Sequence, residues 1–297
     1  MKKEKLLGHF TKELDQNYRG WVGSEIETNF VNKNGEPITV SCSQEIFNVL
    51  SEQGWKVTGR KGVLITVLEK DGAKVLYELG RQNIEIATPP VSQKQLWNVI
   101  QTLMNELYST AKKCGAYPLF EPIIDTKEDL LVIADERDVS WLNLDGRVHL
   151  TPLAKTASVQ FTFETKGPKH AIELLNKLAK SREIFTEDNL YIQEEIWRTY
   201  IQNSNAGYKK NRYGVVQPNS IEQYVDLLAD HDVVIGNDLV PFEKAEQENI
   251  DLFLRSVWWN FRLRRYSNRL CIEVRIFARR KDNQILVDLQ KVLSIID

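Results

Sequence analysis

Short runs in which acidic residues alternate with aliphatic ones constrain this chain more than any other feature of its sequence. In Gly23-Ser24-Glu25-Ile26-Glu27 both carboxylates fall on one face of a strand and Ile26 on the other, because successive side chains point to opposite faces. Asn83-Ile84-Glu85-Ile86 sets Glu85 against two isoleucines, and Cys271-Ile272-Glu273-Val274-Arg275-Ile276 sets Glu273 and Arg275 against three aliphatics. Ser158 to Phe163 opposes Ser158, Gln160 and Thr162 to Val159, Phe161 and Phe163, while Glu78 closes a strand before the Gly80 turn. Such segments require a sheet with one apolar face and one polar face. An ordinary half-wet sheet mixes Lys, Thr and Glu on its outer side, whereas here the polar positions are mostly glutamate.

The remaining pattern supplies helices. Ser43 to Gln53 has helical spacing in Ile46, Phe47 and Leu50. Ser92 and Gln95 form a capping box ahead of the stripe Leu96, Val99, Ile100, Leu103 and Leu107, with Gly115 as the stop. Further helices are predicted over Lys169 to Lys180, Ile221 to Leu228 and 244–257, and strands over Val22 to Val31, Val63 to Glu69, Lys74 to Leu79, Asn83 to Ala87, Thr156 to Glu164 and Leu270 to Phe277. The stretch 130–145 reads as strand and loop, and 190–218 as a polar, irregular active-site loop. Strands scattered among helices, with hairpins, indicate an α+β fold: an antiparallel or mixed sheet with helices on one side. No repeat or linker divides the chain, so residues 1–297 read as one domain.

Composition removes several function classes. Lys+Arg is 39 against Asp+Glu 41, a net charge of -2, which leaves no basic footprint for nucleic acid or an anionic membrane. Three scattered cysteines make neither a disulfide framework nor a zinc knuckle, and no apolar run approaches the ~18 residues of a membrane span. A cytoplasmic protein is expected. Walker-A and GxGxxG loops are absent from the sequence. Five carboxylates on one sheet repel one another by several kcal/mol unless protonated or bridged by cations. Hard oxygen donors in that number favour Mg²⁺ or Mn²⁺. With an arginine beside them they suit phosphoryl transfer from ATP.

At this point the segments resemble a family. Gly23-Ser24-Glu25-Ile26-Glu27 is similar to the first Gly-x-Glu-x-Glu strand of the plant and proteobacterial glutamate–cysteine ligases. Glu78-Leu79-Gly80-Arg81-Gln82-Asn83-Ile84-Glu85, running on to Pro89-Pro90, resembles their Glu…Gln…Glu segment, and Lys155 to Gln160 their Arg-Thr-Cys-Thr-Val-Gln strand. Ile221-Glu222-Gln223-Tyr224-Val225-Asp226 resembles a Phe-Glu-Gln-Tyr-Val-Asp helix, and Trp258 to Arg262 with Ile272 to Arg275 the closing Arg…Glu-x-Arg strands. The resemblance implies a glutamine-synthetase-like sheet with a concave polar active-site face and helices on the other face. It implies Glu25, Glu27, Glu78, Glu85 and Glu273 as metal ligands, Gln160 beside a metal, Arg262 near the nucleotide and Arg275 facing the transferred phosphate. Where the family carries arginines around an Ile-Trp segment, this chain has Gln193, Glu195 and Ser204, with Arg198 out of register.

The expected activity is an ATP- and Mg²⁺-dependent carboxylate–amine ligase. It would join the γ-carboxylate of glutamate, or another small carboxylate, to cysteine or another amine. Two alternatives are a ligase of the same fold acting on a peptide or natural-product precursor, and a non-catalytic binding protein retaining the sheet. Trp258 and Trp259 are candidates to stack on adenine or to fill the core. His149 reads as a structural histidine, Cys114 and Cys271 as packed residues, and Lys209 to Arg212 as a solvated loop rather than a phosphate lid.

Overall fold

The computed structural model describes residues 1–132, 136–186, 191–246 and 250–296. Its strands are β1 (Trp21–Val31), β2 (Lys56–Lys61), β3 (Leu64–Lys70), β4 (Ala73–Tyr77), β5 (Asn83–Ala87), β6 (Val91–Ser92) and β7 (Tyr117–Leu119). They continue as β8 (Ser158–Glu164), β9 (Tyr213–Gly214), β10 (Val233–Ile235), β11 (Asp238–Val240), β12 (Trp258–Trp259), β13 (Phe261–Tyr266) and β14 (Arg269–Ala278). Ten of them form one sheet in the order β13-β14-β8-β1-β5-β4-β3-β2, with β6 and β7 also pairing β1. Each pairing in this sheet is antiparallel. The α+β sheet expected from the alternation is therefore present.

The alternating runs divide as the pleat requires. Val22, Ile26 and Phe30 of β1 join Val159, Phe161 and Phe163 of β8 and Ile272, Val274 and Ile276 of β14 in one large apolar core. Against that face pack the helices Val40–Glu52, Gln93–Lys113, Pro168–Lys180, Ile221–Ala229 and Asp282–Ile296, through buried residues such as Ile46, Leu107, Leu175, Tyr224 and Leu289. The helix Gln93–Lys113 opens with its capping box, the Ser92 backbone N–H donating to Gln95 Oε1 at 3.4 Å, and Ser92 Oγ donates to the same oxygen at 2.7 Å.

Three stretches differ from the pattern reading. Tyr191–Asn203 is a helix, not an irregular loop; Ile196, Trp197, Tyr200 and Ile201, spaced four apart in two pairs, pack with Leu150, Leu153 and Trp258 in a second, smaller cluster. Glu136–Asp145 is also helical, with Trp141 and Leu142 in the same cluster. Polar residues on the other faces of these helices masked their periodicity. The helix expected over 244–257 is confined to Ile250–Arg255, after a short turn of helix at Phe242–Lys244. Residues 133–135, 190 and 247–249 of those three stretches lie outside the described residues. Among the described residues no helix is long and apolar enough to cross a membrane.

Candidate active site

The polar face assembles from the registers. Glu25 lies opposite Gln160 on β8 and Ala87 on β5, and Glu27 lies opposite Glu85. Ser158 donates to Glu27 from its backbone N–H at 2.9 Å and its hydroxyl at 2.7 Å. The Gln160 side-chain amide adds a longer bond to Glu27 at 3.3 Å. Glu78 follows β4 in a turn that returns the chain into β5. Gly80 is obligatory there, since a Cβ would stand 2.2 Å from the carbonyl oxygen of Ala154. That turn brings Glu78 within hydrogen-bond contact of Glu85.

Electrostatics separate these carboxyls into two groups. Burial first, then the charges of Glu25, Glu78 and Glu27, push Glu85 well above the usual carboxylate range. Glu25 is raised by burial and then by Glu273, with Arg275, Arg262 and Arg264 acting the other way. Glu27 is raised by burial against the two bonds from Ser158. Glu273 goes in the opposite direction. Burial would raise it, but Arg262, Arg264 and Arg275 and the Tyr266 hydroxyl together lower it to about 2.

The geometry explains that reversal. Arg262 reaches Glu273 Oε2 through Nη2 at 2.6 Å and Nε at 2.8 Å. Tyr266 donates to Oε1 at 2.7 Å, and Arg275 and Arg264 stand 3.7 and 3.8 Å away. Arg262 also donates through Nη1 to the carbonyls of Leu254 and Val257. Its guanidinium is thus committed inside the protein rather than turned toward a nucleotide. Trp259 borders the cleft but buries its indole against Tyr224 and His231 and donates to the Asn211 carbonyl at 2.8 Å.

Arg275 is placed differently from Arg262. The ladder between β14 and β8 slips between Val274 and Phe277, a bulge that re-aims side chains. The Arg275 N–H bonds to the Asn260 carbonyl at 2.8 Å instead. Both Arg275 and Ile276 consequently line a cleft with Glu27, Ser158, Gln160 and Asn260, of ≈ 570 Å³ empty volume. The helix Tyr191–Asn203 supplies its opposite wall through Gln193, Glu194 and Trp197.

Among the described residues no three carboxyl, imidazole or thiol groups stand close enough together to hold one metal ion. The chemistry of the donors nevertheless fits a hard cation. Glu25, Glu27, Glu78 and Glu85 offer only oxygen, and burial and neighbouring charge disfavour the charged forms of Glu25, Glu27 and Glu85 until a cation neutralises them. Gln160, 8% exposed, has no hydrogen-bond donor for its Oε1 among the described residues. Sequence reasoning passed over Arg264, Tyr266, Asn260 and Glu194. The first two share the period-two face of Arg262, and Glu194 lies three residues before Trp197 on a helix whose existence was missed.

No family model and no curated protein matches the sequence. Solved structures of ligases share its fold. The chain superposes on a bifunctional glutathione synthetase from Pasteurella multocida with a TM-score of 0.53 and 11% identity, covering 99% of this chain and 39% of that one. With a glutamate–cysteine ligase from Francisella tularensis, solved in complex with AMP, the TM-score is 0.52 and the identity 12%, over 95% of this chain and 68% of that one. The chain thus spans well under half of the first protein and about two thirds of the second.

Proposed function

We propose that the protein is an ATP-dependent carboxylate–amine ligase that activates a small carboxylate as an acyl phosphate. The observation that carries this reading is the single polar face on which Glu25, Glu27 and Glu85, all raised by burial, adjoin an arginine held at a bulge. Divalent cations, Mg²⁺ or Mn²⁺, would be shared out along the face by Glu25, Glu27, Glu78 and Glu85 with Gln160, no three of these carboxyls on one ion, and would neutralise the phosphates of ATP. Glu273, expected as a fifth ligand, is better suited to hold the arginines, because its oxygens are already engaged by Arg262 and Tyr266.

The chain's own residues divide the remaining work. Ser158 fixes Glu27 in place through two hydrogen bonds. Arg275, tethered by Glu273 but open to the cleft, offers its planar fork to the phosphoryl group as negative charge spreads across it. The substrate carboxylate attacks the γ-phosphorus, and the bond from that phosphorus to the ADP oxygen breaks with ADP leaving. An amine nitrogen then attacks the acyl carbon, the bond to phosphate breaks with its electron pair on the departing phosphate, and the nitrogen's surplus proton passes to solvent. The test is ADP and phosphate release with Mg²⁺ across a panel of carboxylates and amines. The reading requires ADP that depends on a carboxylate and amide that depends on an amine.

A further inference from the structure

One end of the cleft is built from residues other than those assigned above to phosphate chemistry. It is walled by Trp197, Tyr213 and Trp258. The pairing of β12 with β9 sets Trp258 beside Tyr213. The rings of Trp197 and Tyr213 are parallel, with centroids 6.4 Å apart, and Trp258 lies 5.7 Å from Trp197. Asn260, 4% exposed, hydrogen-bonds the Tyr213 hydroxyl, and its Oδ1 has no donor among the described residues. Glu194 completes the wall. Arg182 and Arg198 hold it, yet neither lines the cleft. Among the described lining residues Arg275 is the one cation, and Glu273 stands 3.7 Å from it.

We propose that this end of the cleft binds a primary amine carried on a flat or apolar group, and discriminates against amines that also bear a carboxylate. The inference rests on the ligase reading and names its acceptor class. An ammonium supplies the donors that Asn260 Oδ1 lacks, and the ring faces attract its charge. A carboxylate on the acceptor would be desolvated beside Glu194 and Glu27, with Arg275 already engaged at the phosphate. An unpaired buried charge of that kind is a strong basis for rejection.

The experiment titrates the full chain, saturated with Mg²⁺ and a non-hydrolysable ATP analogue so that Arg275 is engaged, with phenethylamine and, separately, with phenylalanine, which differs by the added carboxylate. Binding is read from tryptophan fluorescence and checked by calorimetry. Phenethylamine should bind at least about tenfold more tightly, and Asn260→Leu should weaken it by about tenfold, the scale of one hydrogen bond to a charged group. Trp197→Leu, at a half-buried ring, gives an independent loss if Asn260→Leu fails to fold. Equal or tighter binding of phenylalanine overturns the inference, as does no binding of the amine or unchanged affinity in the folded variants. ADP release with amino acids but not with simple amines would remove this inference and leave the ligase reading. Amine binding with no ADP release in any mixture would do the reverse.

Discussion

Glu27 on β1 and Glu85 on β5 are direct cross-strand partners, so two carboxyls sit side by side on a half-buried sheet with Glu25 and Glu78 next to them. Like charges in that relationship destabilise a sheet, and the fold retains them. Replacing Glu85 by Gln, which mimics the protonated acid, should stabilise the metal-free protein by about 1 kcal/mol, or roughly 2–4 °C in Tm. Thermal melts in EDTA at pH 8 check this. In Mg²⁺ the wild type should gain more than the variant, and a variant less stable than wild type in EDTA would contradict the account.

Nucleotide binding should follow the same face. Mg²⁺–ATP should raise Tm, since a ligand bound only by the native state stabilises it by mass action. Glu27→Gln keeps an acceptor for Ser158 and removes one charge. Melts of that variant should show a normal starting Tm and little or no shift with Mg²⁺–ATP. A full shift, or one that survives EDTA, would place the nucleotide elsewhere.

The two arginines nearest Glu273 should behave unlike each other. Arg262 is 3% exposed and bonded to Glu273 and two carbonyls. Removing one partner of a buried pair costs about 3–5 kcal/mol, so Arg262→Ala should lose stability on that scale in urea denaturation. Arg275 is half-buried and its side chain, among the described residues, has only a 3.7 Å ion pair to Glu273, so Arg275→Ala should fold with near-normal stability. Equal losses in the two variants would erase the distinction.

His231 sets an acid limit. It is fully buried, with neither ring nitrogen hydrogen-bonded among the described residues. Burial, then the charge of Arg212, lower it to about 3. The folded state therefore binds fewer protons than the unfolded state between the ordinary histidine value of about 6.5 and about 3. Stability from this group is present above pH 6.5 and is lost as pH falls through that window. Urea midpoints measured from pH 7 to pH 4 should fall less steeply in His231→Phe, and parallel profiles would contradict the assignment.

Much of the sheet was legible because its alternation is nearly perfect. Glu25 with Glu27, Glu85 against its isoleucines and Glu273 against its aliphatics could each be given a strand face from spacing alone, and the registers set Glu25 opposite Gln160 and Glu27 opposite Glu85. Which of them meet was less legible, since cross-strand neighbours depend on register. The pairing of Arg262 with Glu273 follows from the two-residue turn Ser267-Asn268, with Ser267 in the left-handed region at φ 57. That turn fixes every pair in the β13–β14 hairpin, but nothing in Ser-Asn announces it. The bulge that turns Arg275 into the cleft is a tertiary adjustment with no local signature. The helix Tyr191–Asn203 was missed because the residues it presents to the cleft, Gln193 and Glu194 among them, are polar.

The central claim is that Arg275 acts on a phosphoryl group in transfer. The most direct measurement is the steady-state rate of ADP formation by wild type, Arg275→Ala and Arg275→Lys with Mg²⁺–ATP, a carboxylate and an amine at saturation, beside nucleotide titrations of the same proteins. The account predicts ATP affinity within roughly tenfold of wild type, turnover lower by about 10²-fold in Arg275→Ala, and partial recovery in Arg275→Lys. ADP formation by Arg275→Ala at the wild-type rate, or none by the wild type with any carboxylate and amine pair, would contradict it.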